Sequence, residues 1–171
     1  MKKIDFRNDI LPLKNELYRL ALRITLNPAE AEDVVQETMI RVWNRREQWD
    51  EIESIEAFCL TICRNLALDK TKRAANQEAQ LDEGHDAPDH SYDANPEEQA
   101  VQRDRIQLVR RLIDQLPEKQ RACMQLRDIE GKAYKEIAQV LGITEQQVKV
   151  NIFRARQTIK QKYIETEKYG L

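Results

Sequence analysis

The sequence has few of the residues that break helices or bind metals. Its 171 residues include four glycines, three cysteines and two histidines. The scarcity of glycine argues against a turn-rich β fold, and the abundance of Glu, Gln, Lys, Arg, Leu and Ala predicts an all-α protein. The odd number of cysteines excludes a framework in which every thiol is paired in a disulfide.

Long apolar segments are also absent. No run approaches the roughly 18–20 apolar residues that span a bilayer, so we expect no membrane insertion. The first residues, MKKIDFRND, are basic but are not followed by an apolar segment, so we expect no signal peptide and a cytoplasmic protein. The net charge is −2, so any affinity for nucleic acid must come from local basic patches.

Two cysteines have a spacing that can bind a metal. Cys59 and Cys63 lie four residues apart, on one face of a predicted helix. They continue an apolar stripe made by Ile55, Phe58, Ile62 and Leu66. Free cysteine is common in protein cores, and His85 and His90 fall in a polar segment. We therefore expect core packing rather than a metal site, and no cofactor.

Residues 134–160, YKEIAQVLGITEQQVKVNIFRARQTIK, have the pattern of a helix-turn-helix. The first helix has an apolar face made by Ile137, Ala138 and Leu141. Gly142 supplies the left-handed conformation that ends this helix, and Thr144 with Gln147 forms a capping box that starts the next. The second helix keeps one face apolar through Val148, Ile152, Ala155 and Ile159. Such a second helix enters the DNA major groove.

The opposite face of that second helix is basic and mixed in polarity. At about 100° per residue, it holds six candidate DNA-contacting residues: Gln146, Lys149, Val150, Phe153, Arg154 and Lys160. Residues 132–162 contain seven Lys or Arg and two Glu. Such a face suits phosphate contact and base-edge reading. A merely solvated helical hairpin is the alternative, but it explains only the charge.

A first helical unit is predicted over residues 8–75. Its first helix has an apolar seam made by Ile10, Leu13, Leu17, Leu20 and Ile24. Asn27, Pro28 and Glu30 then open a second helix as N-cap, first helical residue and capping-box acid. The buried face of this helix is Ala31, Val34, Val35, Thr38 and Val42. Its opposite face carries Glu32, Asp33, Gln36, Glu37 and Arg41.

A third helix follows an acidic loop around Asp50 to Glu53, and Ser54 caps it. The polar residues toward its end are mainly basic: Arg64, Asn65, Lys70, Lys72 and Arg73. A basic last turn is partly explained by the helix dipole alone. Binding to a nucleic acid is the other explanation, and the pattern by itself leaves both open.

Residues 76–100 are predicted to form a flexible acidic linker. Residues 74–102 contain eight acidic residues and no Lys or Arg, and such a segment cannot bury enough apolar surface to fold. Its carboxylates are a candidate intramolecular competitor of DNA, and a plain spacer is the alternative.

A second unit is predicted over residues 101–163, with a frayed tail after it. Its first helix ends at Leu116, before Pro117, and has an inward face made by Val101, Ile106, Val109, Leu112 and Ile113. Its second helix covers residues 118–129, and Gly131 stops it. The residues expected inward there are Ala122, Cys123 or Met124, Leu126 and Ile129.

Two segments resemble a known family. PAEAEDVVQETMIRVW followed by AFCLTICRNLALDKTKR resembles region 2 of bacterial sigma factors. LPEKQRACMQLRDIEGKAYKEIAQVLGITEQQVKVNIFRARQTI resembles their region 4. With only these regions and a short linker, the chain resembles the extracytoplasmic-function (ECF) subgroup of the sigma-70 family. The resemblance implies a non-enzymatic protein that binds the clamp coiled coil and flap of core RNA polymerase, promoter DNA and an anti-sigma factor.

The resemblance also implies roles for particular positions. The clamp coiled coil would contact Glu32, Asp33, Gln36 and Glu37. The promoter −10 element would be opened and read by Asp50, Glu51, Arg64, Asn65 and Arg73. The −35 element would be read by Lys149, Val150, Phe153 and Arg154, which the helical wheel also places away from the core. Asn151 departs from the family, which usually has Arg there.

Two other classes of protein remain as alternatives. A free-standing helix-turn-helix regulator would need a dimerisation surface and would bind a palindromic site without polymerase. An enzyme, such as a Cys/His metal hydrolase, would need convergent polar residues in a pocket. The sequence shows neither an unexplained apolar face nor such a constellation.

Overall fold

The computed structural model describes residues 3–78 and 98–169. These residues form seven α-helices and no β-strand, which confirms the all-α prediction. The helices are α1 (Lys14–Thr25), α2 (Pro28–Asn44), α3 (Ile55–Glu78), α4 (Glu98–Asp114), α5 (Glu118–Met124), α6 (Tyr134–Leu141) and α7 (Glu145–Tyr169). Within the described ranges, no helix combines the length and apolar character needed to cross a bilayer. Most of the predicted acidic linker, with His85 and His90, lies outside these residues.

Helices α1, α2 and α3 form a bundle in which each packs on the other two. The apolar residues predicted for the first helix and for the inner face of α2 are all buried, although Ile10 and Leu13 lie in the helical turns that precede α1. Asn27 caps α2, and its side-chain oxygen accepts the backbone N–H groups of Ala29 (3.0 Å) and Glu30 (3.2 Å). The predicted capping box also required the Glu30 side chain to accept the backbone N–H of Asn27. That part of the prediction is wrong, because this N–H donates to Thr25 Oγ1 (3.3 Å) instead. The left-handed conformation of Leu26 (φ 56°) turns the chain between α1 and α2.

An aromatic cluster closes the end of the bundle where α2 finishes. The rings of Phe6, Trp43 and Trp49 have centroids 5.5, 6.1 and 6.5 Å apart. Trp49 is buried, and its indole N–H donates to the carbonyl of Val42 (3.1 Å). The cluster therefore anchors the helical turn Arg46–Glu51, which carries two of the predicted DNA-contacting residues.

Helices α4, α5 and α6 pack around α7. Gly131 (φ 69°) and Gly142 (φ 67°) end the segments before them in left-handed conformations, as predicted. The inward placement of Ile106 and Ile129 is wrong, since both are exposed. The residues of α4 that join the apolar cluster with Ala155 of α7 are Val109 and Ile113, and Ile106 lies before them in the helix. A π-helical turn over Gln125–Ile129 widens the backbone and turns Ile129 outward.

Two helices run further than expected. Helix α3 continues to Glu78, beyond the predicted unit boundary at residue 75, and α7 continues to Tyr169, through most of the tail expected to fray. Neither extension contains Gly or Pro, so nothing local stops the helix. Thr166 Oγ1 also donates to the carbonyl of Lys162 (2.8 Å) within α7. The boundaries at 8–75, 76–100 and 101–163 stay predictions.

The first unit (α1–α3) and the second unit (α4–α7) pack against each other. Helix α3 packs on α6, and α1 packs on α5. Buried residues of both units, such as Leu60 and Ile137, belong to one contiguous hydrophobic cluster. A smaller cluster within the second unit contains Ile113, Met124 and Ala155. We call this packed state the closed arrangement.

Candidate functional site

The second unit contains the helix-turn-helix, with α7 as its second helix. The backbone N–H of Gln147 donates to Thr144 Oγ1 (3.1 Å), and the backbone N–H of Thr144 donates to Gln147 Oε1 (2.9 Å), so the capping box is confirmed. Val148, Ile152 and Ala155 bury the inner face of α7. The six predicted DNA-contacting residues are all exposed: Gln146, Lys149, Val150, Phe153, Arg154 and Lys160.

Neighbouring side chains orient some residues around this surface. The Tyr134 ring lies against two cations, with Arg127 4.2 Å and Lys149 5.3 Å from its centroid. A cation held on an aromatic face loses part of its rotamer freedom before it meets a phosphate. Asn151 Nδ2 donates to the carbonyl of Gln147 (2.8 Å), so this amide binds its own helix.

The outer face of α2 is exposed and acidic. The predicted polymerase-contacting residues lie along it: Glu32, Asp33, Gln36 and Glu37. Two of them form surface ion pairs, Asp33 with Lys70 (3.7 Å) and Glu37 with Arg41 (3.0 Å). Exposed pairs of this kind add little to stability. The face can therefore exchange these pairs for a partner at small cost.

Two apolar side chains on this side of α2 were not predicted to be exposed. Ile40 is 59% exposed and Trp43 is 45% exposed. At about 100° per residue, Ile40 falls within roughly 20° of Asp33, between the carboxylates. A helical wheel could have found it, since Ile40 lies outside the buried stripe. Apolar groups among polar ones are common at the core of protein interfaces.

The predicted −10 residues fall into two groups. Those that are exposed are Asp50, Glu51, Asn65 and Arg73. Arg64 is only 8% exposed. Its guanidinium donates to Glu118 of α5 through two bonds, Nε to Oε1 (3.1 Å) and Nη2 to Oε2 (2.9 Å). The second unit therefore covers Arg64 in the closed arrangement, and its role at the −10 element stays a prediction.

A cavity of about 490 Å³ lies beside the exposed −10 residues. Its lining comes mainly from the first unit and includes Arg41, Arg45, Phe58 and Asn65. Gln139 of α6 also lines it. An aromatic ring for stacking and cations for phosphates are what single-stranded nucleic acid requires, so this cavity is a candidate for an unstacked base.

Polar contacts cross the boundary between the units. Arg19 Nη2 donates to Glu130 Oε2 (2.8 Å), Arg23 Nη1 donates to Asp114 Oδ1 (2.9 Å), and Arg23 Nε donates to Gln125 Oε1 (3.1 Å). These partners lie 111, 91 and 102 positions apart in the chain. Helical periodicity carries no signal for such pairs, and sequence reasoning missed them.

A partly buried lysine at the same boundary contacts two carboxyl groups and acts electrostatically on a third, that of Glu136. Lys132 Nζ lies 2.7 Å from Glu16 Oε1 and 2.9 Å from Glu56 Oε2. Burial raises the pKa of Glu136, and Glu56 and Glu16 raise it further against the opposing charge of Lys132. Burial also raises the pKa of Glu16 in spite of its bond to Lys132. The single positive charge of Lys132 therefore does not offset the cost of burying three negatively charged carboxylates.

We expect the closed arrangement to strengthen as the pH falls. The carboxyls of Glu16 and Glu136 have raised pKa values in the presence of groups from both units. The closed arrangement therefore binds more protons than separated units, and linkage favours it as the pH falls through the raised pKa values. The gain ends below the ordinary value of 4.5, where both arrangements are protonated at these sites. Small-angle scattering as the pH is lowered from neutral toward 4.5 should show a decreasing radius of gyration.

The groups facing this cluster define the controls for that measurement. Besides Lys132 and Glu56, the charge of Glu130 acts on Glu16. Glu136→Gln should make the protein more compact at the high end of the range, because the neutral amide needs no proton. It should reduce the pH dependence without removing it, because the pKa of Glu16 is also raised. Glu165→Gln, at an exposed position of α7, should behave as wild type. A radius of gyration that does not change with pH in the wild-type protein would contradict the prediction.

The three cysteines are buried, as core packing required. Burial raises the pKa of Cys59 to about 12, that of Cys63 to about 12 and that of Cys123 to about 11. Cys63 Sγ donates to the carbonyl of Leu17 (3.3 Å). Among the described residues, no group of three or more His, Cys, Asp or Glu side chains is arranged to hold a metal ion.

The chain matches two family models. Residues 10–77 match Sigma-70 region 2, and residues 106–159 match Sigma-70, region 4. The chain is 34% identical over 148 residues to the ECF RNA polymerase sigma factor SigE of Mycolicibacterium smegmatis, covering 85% of this chain and 56% of that protein. It is 33% identical over 147 residues to the ECF RNA polymerase sigma factor SigL of Mycobacterium tuberculosis, covering 84% and 80%. It thus spans little more than half of SigE and most of SigL.

Two solved structures share the fold. The sigma factor RpoE from Bartonella quintana, solved with the anti-sigma factor NepR, has a TM-score of 0.75 at 20% identity, covering 92% of this chain and 95% of RpoE. CnrH, solved with the cytosolic domain of CnrY, has a TM-score of 0.67 at 19% identity, covering 94% and 88%. At these identities the likeness concerns the fold. With both regions present and a third of positions identical across most of SigL, the chain belongs to the ECF subgroup of the sigma-70 family of RNA polymerase sigma factors.

Proposed function

We propose that this chain binds core RNA polymerase through the outer face of α2 and directs the enzyme to specific promoters. The first unit opens and reads the −10 element, and α7 of the second unit reads the −35 element. The observation that carries the proposal is the presence, in one chain, of an exposed acidic helix face and an exposed basic recognition helix.

The two faces suit partners of opposite charge. On α2, carboxylates lie on the N-terminal side of the exposed Ile40, which favours a basic protein surface with an apolar position. On α7, Lys149, Arg154 and Lys160 flank the apolar Val150 and Phe153, which favours an anionic duplex whose groove exposes thymine methyl groups. The opposite charges of the two faces therefore explain why one binds polymerase and the other binds DNA.

We also infer an anti-sigma factor as a partner and the cytoplasm as the place of action. The support for the first is that RpoE, a relative in fold, was solved with the anti-sigma factor NepR. The support for the second is that RNA polymerase and promoters lie there. In this proposal the chain binds and positions macromolecules, and it performs no chemical step.

Run-off transcription with purified core polymerase and a promoter library tests the function. We expect a discrete set of transcripts only when both the protein and the core enzyme are present. A free-standing helix-turn-helix regulator would bind DNA yet produce no promoter-specific transcript with core polymerase alone. That outcome would replace our proposal with the regulator.

A further inference from the structure

We propose that Phe6, in the π-helical turn Phe6–Ile10 ahead of α1, is a positioning residue for the −10-reading turn Arg46–Glu51. The Phe6 ring packs on Trp49, which anchors that turn. This inference rests on the proposed function of the first unit. The match to Sigma-70 region 2 begins at residue 10, so the similarity to that family assigns Phe6 no role.

The turn that carries Asp50 and Glu51 has little internal support. It is a 3₁₀ helix of six residues, and hydrogen bonds in such helices have poorer geometry than those of an α-helix. Within the described part of the chain, no side chain caps its start. Of its six residues, all of which the structure describes, only Trp49 is buried. The position of the turn therefore depends on how firmly the Trp49 ring is held.

Two aromatic rings contact Trp49. The Phe6 ring stacks on it, with centroids 6.5 Å apart and planes 12° apart, and the Trp43 ring meets it edge-on at 6.1 Å. Trp43 also meets Phe6 edge-on at 5.5 Å. Ring pairs of this kind stabilise a structure beyond the apolar area that they bury. Loss of the Phe6 ring would remove two of the three ring contacts in the cluster and leave Trp49 less constrained.

The segment around Phe6 is held by its own polar side chains. Asp5 Oδ1 accepts the backbone N–H of Arg7 (3.3 Å), and Asp5 Oδ2 accepts a bond from Asn8 Nδ2 (2.6 Å). The backbone N–H of Asp5 donates to Asp9 Oδ2 (2.8 Å). This segment also packs on α3. The Phe6 ring is therefore presented to the cluster by an ordered turn that is fixed to the bundle.

The turn that Trp49 anchors brings side chains to the candidate base cavity. Glu51 lies two residues after Trp49 and lines that cavity, as does Arg45, which directly precedes the turn. The Arg45 guanidinium lies 6.0 Å from the centroid of the Phe58 ring, which also lines the cavity. A binding site keeps its selectivity when packing fixes its residues to within roughly 0.5 Å. A displaced Trp49 would shift Glu51 and Arg45 relative to the cavity and so weaken base selection.

Transcription from a promoter selected in the run-off library measures this effect. Discrimination at the −10 element is the ratio of transcript from that promoter to transcript from its single-base −10 variants, and discrimination at the −35 element is measured in the same way. Phe6→Ala should lower the −10 ratio about three- to tenfold, as expected for the loss of ring pairs. It should leave the −35 ratio and the affinity for core polymerase unchanged. Phe6→Tyr keeps the ring and should retain the wild-type −10 ratio.

Two further variants separate positioning from general stability. Leu22→Ala removes a partly buried apolar side chain of α1, near the end of the bundle where α2 begins and away from the aromatic cluster. It should lower the melting temperature and leave the −10 ratio unchanged. Phe6→Leu keeps most of the apolar volume but lacks the ring, so it should lower the −10 ratio even if the alanine variant does not fold.

Circular dichroism shows which variants are folded. A wild-type −10 ratio in folded Phe6→Ala or Phe6→Leu would overturn the positioning role. An equal fall in the −35 ratio, or an equal fall in the −10 ratio with Leu22→Ala, would overturn it as well. Absence of promoter-specific transcripts with the wild-type protein would overturn the proposed function and this inference with it, whereas wild-type transcripts with an unchanged −10 ratio in the variants overturn the positioning alone.

Discussion

Gln36→Ala combined with Glu37→Lys will lower the affinity for core RNA polymerase by about 2 to 4 kcal/mol, or roughly 30- to 1000-fold, and will leave the fold intact. Both side chains lie off the buried stripe of α2, and Glu37 makes only an exposed pair with Arg41. The free energy of unfolding should therefore change little. At a docked interface, by contrast, the new lysine places like charge against a basic partner.

Binding to labelled core enzyme, with circular dichroism for helicity, measures this effect. Glu47→Lys is the matched control, because it makes the same charge reversal at an exposed position in the turn Arg46–Glu51. It should bind the core enzyme like wild type. If the double variant co-purifies with polymerase as well as the control does, the face of α2 is not the docking surface.

Arg154→Ala and Lys149→Ala will each weaken −35-dependent transcription by about 1–3 kcal/mol if their side chains reach base edges. Both residues are exposed on α7, outside the buried stripe that holds the helix in place. A change in the preferred −35 sequence is the signature of base reading. A contact to phosphate alone would weaken all promoters alike and reduce the salt dependence of binding.

Arg156→Ala serves as the internal comparison on the same helix. Arg156 Nε donates to Asp128 Oδ2 (3.1 Å), so its guanidinium is engaged by the protein itself. We expect this variant to retain the wild-type base preference. Selection of promoters from a randomised −35 library measures all three variants together. Identical selected sequences for Arg154→Ala, Lys149→Ala and wild type would place the recognition surface elsewhere.

The sequence by itself determined the features that depend on residues within one or two helical turns. The cap at Asn27 and the box of Thr144 and Gln147 were predictable because each bond spans two or three positions. The exposed faces of α2 and α7 were predictable because 3.6-residue periodicity separates buried from solvated positions. The binding roles of these faces stay predictions that the two experiments above address.

Only the tertiary structure decided how the two units meet. Arg64 and Glu118 lie 54 positions apart, and Lys132 and Glu56 lie 76 apart. Neither pair follows from the pattern of its own helix, since the pattern marks a residue as polar without naming its partner. The outward turn of Ile129 has a similar origin, because a π-helical turn shifts the register that periodicity assumes. Local propensity thus specified the helices and their faces, and the long-range packing of α3 on α6 and α1 on α5 specified which polar side chains became buried.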